Sequence, residues 1–299
     1  MNYIFYAGLL VLGTALVSCE KESAIRPKQD TSAAGARQTL NESTPILLTR
    51  RGSDDSFSYA SPETAKITKV THAANNYTVY IYFSSGRRIK TVDFNGENRM
   101  GETQYMINDA GRCTSSRQML FVYDPAKGSF PSDSVIIYSY YSYDALGRLS
   151  SKQDVEDAIH GSPTNDYNQH HYYYFDKNND LTEVKTFASG KLWLDALFDY
   201  GQLSNQPMIT DRLQLNETNT FINDRYLKVF GASSTHLVRH TKILQYPFYS
   251  TTTPFIAQDY EFNYMLNRLG LVTQKQTVNV LNGQQLPTEY YAYQVFTGQ

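Results

Sequence analysis

The sequence predicts an all-β domain built from antiparallel hairpins, and three observations predict it. Aromatic residues make up 14% of the 299-residue chain and 25 of them are Tyr. Tyr favours strands and sits on half-exposed sheet faces with its ring packed and its hydroxyl wet. Apolar and polar residues alternate on both sides of short turn signals, and beyond residue 61 no sustained helical period interrupts them.

The first element is an apolar run from Tyr3 to Val17 that ends in Ser18-Cys19. It is shorter than the roughly 20 apolar residues that span a bilayer and reads as a secretory segment removed on maturation. Leu16-Val17-Ser18-Cys19 resembles a bacterial lipobox, although no Lys or Arg precedes the run. That resemblance implies that residues 1–18 are a signal peptide, that Cys19 is lipidated and becomes the mature N-terminus, and that the chain is anchored to a membrane by lipid rather than spanning it. Glu20-Lys21-Glu22 loosely resembles the export tag of surface lipoproteins in the Bacteroidetes. With Cys19 acylated, Cys113 is left without a disulfide partner in the chain.

Residues 19–61 are rich in Ser, Thr, Ala and charges and read as a flexible tether. Its apolar patch Ile46-Leu47-Leu48 either stays in the tether or docks as a first strand. Residues 62–299 carry the hairpins. YTVYIYF, SSG and RRIKTVDF (77–94) make one; a second turns at Gly190, and a third at Asn282-Gly283, with the strongest type of two-residue turn signal. Asp154 to Ile159 allows one helical turn inside a loop.

One hairpin is written four times. Tyr141-x-Tyr143-Asp144-x-x-Gly147-x-Leu149 aligns with Tyr105-x-Ile107-Asn108-x-x-Gly111-x-Cys113, with Tyr173-x-Phe175-Asp176-x-x-Asn179-x-Leu181 and with Tyr264-x-Leu266-Asn267-x-x-Gly270-x-Val272. The first and third residues share one strand face. Asp or Asn accepts backbone N–H groups across the turn. Gly, or Asn179 in its place, suits a last turn position where φ is positive. The copies lie 36, 32 and 91 residues apart along the chain, so residues 198–258 hold either degenerate units or an insertion. "YDALGRL" resembles the YD repeat of RHS-type proteins, and the arrangement over residues 65–299 is similar to Bacteroidetes lipoproteins with YD-like β-repeats. In large RHS proteins such repeats coil into a closed shell; this chain holds too few copies for that, so the expectation is an antiparallel meander forming a curved, elongated sheet or half-open barrel, with a β-sandwich as the alternative.

A net charge of −2 with 19% charged residues gives no field for nucleic acid. No G-x-S-x-G, P-loop or dinucleotide fingerprint occurs, and nothing implies a cofactor or a catalytic residue. Asp176, Asn178 and Asp180 have the first three spacings of a calcium loop, but Leu181 and Phe187 stand where its Gly and Glu belong, so a plain turn is the preferred reading. His170-His171 point to opposite faces of a strand, His236 and His240 lack zinc spacing, and no metal site is expected. Cys113 takes an apolar closing position and reads as a buried thiol. Tyr138, Tyr140, Tyr172 and Tyr174 are the candidate binding aromatics, able to stack on sugar rings or receive a partner protein. The expected function is a lipid-anchored lipoprotein of the outer membrane, non-catalytic and structural or binding in role. Its partners are the membrane through the lipid, and a glycan or an envelope protein. The alternatives are a surface carbohydrate binder using the Tyr rows and a hydrolase with an unrecognised carboxylate pair.

Overall fold

The computed structural model describes residues 46–52, 55–61, 64–72, 75–123, 131–157, 168–201, 208–216, 224, 226–247 and 253–296. Cys19 and residues 1–45 lie outside these. Three short strands, β1 (Ile46–Arg51), β2 (Asp55–Tyr59) and β3 (Ile67–Thr71), lead into β4 (Asn76–Tyr82), β5 (Arg88–Asn95), β6 (Asn98–Ile107) and β7 (Cys113–Tyr123). The chain continues through β8 (Pro131–Tyr143), β9 (Leu149–Asp157), β10 (Asn168–Phe175), β11 (Leu181–Ala188) and β12 (Lys191–Asp199). After a long non-repetitive stretch come β13 (His240–Gln245), β14 (Phe255–Leu266), β15 (Val272–Asn279), β16 (Gln284–Gln285) and β17 (Glu289–Val295).

Every pairing is antiparallel and joins neighbours in sequence, apart from two that close the sheet. β15 reaches past β16 to pair with β17 at Gln274↔Tyr290 and Lys275↔Glu289, and β17 pairs with β1 from Val295↔Ile46 to Tyr291↔Arg51. The result is a closed ring of 16 strands with β16 attached to β15 alone. The all-β antiparallel meander is as the sequence predicts; the half-open barrel, elongated sheet and sandwich are not. Closure depends on β1 and β2, which fall inside the stretch 19–61 read as tether: the patch Ile46-Leu47-Leu48 docks as a strand, the second of its two readings, and the described sheet starts at Ile46 rather than at residue 62. Asp154 to Asp157 belong to β9 and not to a helical turn.

The four repeated turns are built alike. In each, the N–H of the Gly or Asn bonds the carbonyl of the Asp or Asn three residues earlier: Gly111 to Asn108 at 3.0 Å, Gly147 to Asp144 at 2.9 Å, Asn179 to Asp176 at 3.2 Å, Gly270 to Asn267 at 3.0 Å. The Asp or Asn side chain accepts two further N–H groups, two and four residues on, at 2.8–3.1 Å. The closing residue sits where φ is positive, +66° at Asn179 and +80° at Gly147, and a register shift accompanies each turn. This is a type I turn followed by a left-handed residue that forms a bulge.

First and third repeat positions all face inward. Tyr105, Tyr141 and Tyr173 are buried, with Ile107, Tyr143, Phe175 and Tyr264 packed beside them, and the closing residues Cys113, Leu149, Leu181 and Val272 are buried too. Strands outside the four copies supply the same aromatic pairs, Phe57 and Tyr59, Tyr80 and Tyr82, Tyr291 and Tyr293. The four turns, the entry of β1 and the exit of β17 lie at one end of the barrel, by strand direction and register.

Gly231, in the stretch between β12 and β13, meets this end. Its φ is +87°, it pairs with Arg148, and a Cβ there would lie 2.5 Å from the Gly147 carbonyl and against the Tyr143 ring. Gly270, at φ +76°, has open space around it. Gly270→Ala is expected to cost about 1–2 kcal/mol for left-handed backbone alone, and Gly231→Ala about 2–3 kcal/mol more because backbone must move. Chemical denaturation of the two variants side by side reads the difference.

Candidate functional site

Residues 208–216, 224 and 226–239, the described part of the stretch between β12 and β13, fill one end of the barrel. Leu215, Leu227, Phe230, Leu237 and Val238 are all buried. Their neighbours come from all round the ring: the Tyr226 ring meets Phe57 edge-on at 5.0 Å, and Phe230 meets Tyr105 at 5.9 Å and Tyr141 at 5.1 Å. Only a segment lying inside the ring touches β2, β6 and β8 at once.

Its backbone is held by the repeats one after another. Val229 accepts the Cys113 N–H at 2.7 Å, beside the first copy. The Tyr143 hydroxyl donates to the Cys113 carbonyl at 2.6 Å, and the Ala232 N–H donates to the Gly147 carbonyl at 3.3 Å, at the second. At the third, Asn179 donates to the Ser233 carbonyl, the Leu181 N–H to the Ser234 hydroxyl, and the Thr235 hydroxyl to the Asn178 carbonyl. The fourth supplies the Tyr264 hydroxyl, which donates to the Val238 carbonyl at 2.7 Å. Polar backbone that enters an apolar barrel end must find such partners, since an unmet buried N–H or C=O costs about 1–3 kcal/mol.

The carboxylates of the candidate calcium loop are committed to this attachment. Asp176 accepts the Asn178 and Asp180 N–H groups. Asp180, fully buried, accepts the His236 N–H at 2.9 Å and lies 2.7 Å from His236 Nδ1. The histidines are separate: His236 pairs with Asp180, His240 with Asp259 at 2.6 Å on the outer wall, and His171 with Asp154 in the lumen. Burial pushes the Cys113 thiol up to about 12, so it stays protonated.

One polar cluster was invisible to sequence reasoning. Asp154 is contacted by Ser139 Oγ at 2.6 Å, Lys152 Nζ at 2.8 Å and His171 Nε2 at 3.2 Å, while His171 Nδ1 lies 2.9 Å from Thr186 Oγ1. Burial opposes charge on Asp154, yet bonds from His171, Lys152 and Ser139 hold its carboxyl at about 2. The order Thr186, His171, Asp154 is that of a hydroxyl, a base and an orienting acid. All three are buried, Thr186 at 1% exposure, and the bonds named above run among these side chains, Ser139 and Lys152. Register alone gathers them, and alternation along β8 to β11 is the one signal that could have shown it. Asp55 bonds His72 and the Tyr226 hydroxyl, which makes it a wall residue holding the inner segment.

The tyrosine rows divide between the two faces. Tyr141, Tyr143 and Tyr173 line the core, whereas Tyr140, Tyr172 and Tyr174 stand on the outer wall at 52%, 40% and 45% exposure, with Tyr138 half-buried on the same side. Tyr172 meets Phe187 edge-on and Lys185 lies over Tyr174. β9 runs between the two rows and presents Ser151 and Gln153, so the rings border a polar furrow.

That outer wall is charged at mid-strand. Lys90 pairs with Glu102, Glu183 with Lys185, and His240 with Asp259, and Arg117, Lys242 and Glu261 share the same face by register. A membrane-spanning barrel carries an apolar band about 25 Å tall on this face, where each Lys or Arg costs roughly 2–4 kcal/mol at mid-depth. Here most of the buried aromatic residues point inward, and the outer face carries the Lys90–Glu102, Glu183–Lys185 and His240–Asp259 pairs beside its exposed tyrosines.

No family model and no curated protein matches the chain. Among solved structures it is similar to a porin-like protein from Bacteroides uniformis, at 12% identity and a TM-score of 0.53 over 85% of this chain and 98% of that one. It is similar also to a porin-like protein from Bacteroides vulgatus, at 13% identity and a TM-score of 0.56 over 82% and 98%. Both establish the closed antiparallel barrel as a known fold. A TcdB2-TccC3 toxin structure aligns at a TM-score of 0.31 over 12% of its length, too slight an overlap to argue from.

The inner segment gives a pH dependence. Burial pushes the Asp211 carboxyl up to about 6, against the N–H groups of Leu215, Asn216 and Leu213 and the nearby Arg51, which pull it down. A carboxyl raised in the folded state contributes stability in full below its unfolded value near 3.8, and that contribution is lost as pH rises through about 6. The stability advantage of the natural chain over Asp211→Asn should therefore shrink by up to about 3 kcal/mol between roughly pH 4 and pH 7. Thermal unfolding of both proteins across that range measures it.

Proposed function

We propose that the chain is a lipid-anchored, non-catalytic protein of the bacterial cell envelope whose barrel stands in water at the outer membrane and acts by binding rather than by conduction. The observation that carries this reading is the inverted polarity of the wall: Tyr105, Tyr141, Tyr173 and Phe262 fill the inside while Lys90, Glu102, Glu183, Lys185 and Asp259 face out. A wall of that kind is stable in water and costly in lipid. The inner segment supports the same reading, because it occupies the end through which a pore would have to open. Attachment is assigned to an acyl group on Cys19, and the likeness to Bacteroides porin-like barrels supports an envelope protein of that lineage.

The outward Tyr138, Tyr140, Tyr172 and Tyr174 are the surface through which the anchored barrel meets its partner. A glycan suits the rings and the Ser151–Gln153 furrow between them, and an envelope protein is the alternative occupant. A hydrolytic role for Thr186, His171 and Asp154 gets no support from their burial, which closes all three side chains to solvent.

Two measurements test the reading. Metabolic labelling with an alkyne fatty acid in a bacterial host should mark the natural chain and not Cys19→Ala, which should fractionate as a released protein; label retained by Cys19→Ala removes the anchor. Purified protein added to a planar bilayer should produce no conductance steps, and reproducible unitary steps would refute the water-facing barrel.

A further inference from the structure

Away from the inner segment, the lumen holds a second feature. A cavity of about 220 Å³ lies against β12 to β15 and β17, lined among others by Phe198, Thr241, Gln258, Phe262, Lys275 and Glu289. Its apolar side is aromatic. Phe198 and Phe262 are buried and Tyr260 packs beside them. Its polar side is a fixed charge pair: Lys275 Nζ lies 2.5 Å from Glu289 Oε1 and 5.3 Å from the centre of the Phe262 ring. Glu289 is held in turn by Arg51 Nε at 3.3 Å and by the Tyr291 hydroxyl at 3.0 Å. Gln258 faces the lumen opposite Ile243 and is exposed, so the cavity opens to solvent.

Thr241 is the residue that asks for a ligand. It is 6% exposed and lines this cavity; its hydroxyl is closed to solvent and has no hydrogen-bond partner among the described residues, so a turn about χ1 is what brings it to a guest. Thr277, on the neighbouring side of the cavity, is buried as well. A buried hydroxyl without a partner costs about 1–3 kcal/mol, and a hydrogen-bonding guest restores it.

We propose that this cavity is a binding site for a single pyranose unit of a carbohydrate, seated with its C–H face on Phe262 and Phe198 and its hydroxyls on Thr241, Gln258, Thr277 and the Lys275–Glu289 pair. The cavity has room for a six-membered ring. Aromatic faces accept the C–H side of a sugar, and Thr and Gln each donate and accept, as sugar hydroxyls do. Opposite charges already neutralised against each other polarise a hydroxyl without selecting an ion. The site is distinct from the Tyr140 and Tyr172 rows outside and does not depend on lipidation, so it stands or falls separately from the anchored-protein reading.

Saturation-transfer NMR and calorimetry on the full-length chain, with D-glucose, D-galactose, D-mannose and N-acetyl-D-glucosamine as probes, test it. At least one probe should bind saturably, with affinity reduced about tenfold or more by Thr241→Val and severalfold by Gln258→Ala. Tyr140→Ala combined with Tyr172→Ala should leave that affinity unchanged. Without sugar, Thr241→Val should melt at or above the natural temperature, because an unpaired buried hydroxyl is gone. Absence of saturable binding by all four probes to folded protein overturns the proposal. So does binding that survives both Thr241→Val and Gln258→Ala, or that is lost only with the outer tyrosines.

Discussion

Everything else in this fold depends on where residues 229–238 find their hydrogen bonds. A ring of hairpins closed into a barrel has no free strand edges, but it leaves a wide apolar end that a single chain must close. The segment does so by running across the repeats in order, from Cys113 through Gly147, the 178–181 turn and Tyr264. The wall and the filling are thus one cooperative unit. Tyr143 shows the coupling: its ring packs in the wall, and its hydroxyl fixes the carbonyl of Cys113, whose N–H holds the segment.

That arrangement explains the amino-acid usage. An inward Tyr fills the volume of a Phe and still carries a donor: Tyr59 and Tyr200 donate to the wall carbonyls of Leu48 and Leu181, and Tyr143 and Tyr264 to the crossing segment at Val229 and Val238. Phe57 and Phe230, which carry no hydroxyl, contribute ring-on-ring contacts instead. Burial raises the hydroxyls of Tyr59 and Tyr82 to about 12, so they remain donors under all physiological conditions. Outward, the same alternation sets charges and amides against each other in cross-strand pairs, the pattern of a sheet that faces water.

Much of this was legible in the residues. The hairpin repeat, its Asp or Asn corner and its positive-φ closing position could be read from Tyr141 to Leu149, because turn chemistry is local and each position there has one physical demand. The two faces of the tyrosine rows followed from alternation. Closure was not legible. It rests on the pairing of Ile46–Arg51 with a strand some 240 residues away, and the short β1 and β2 look like tether because they are flanked by Ser and charge. The gap between the third and fourth repeats announced an insertion but not its place, since nothing in Leu215 or Phe230 says whether the apolar residue lies under a wall or between walls. The Asp154 cluster was hidden for the same reason: four strands must be set in register before Ser139, Lys152, His171 and Thr186 become neighbours.

The entry of β1 and the exit of β17 share the end that the inner segment fills. A pull on the chain at Ile46 acts first on the Ile46↔Val295 pair and then on Leu48 against Tyr293. Along the strand direction that load is met in shear, across several backbone bonds at once, at the end where the inner segment is held.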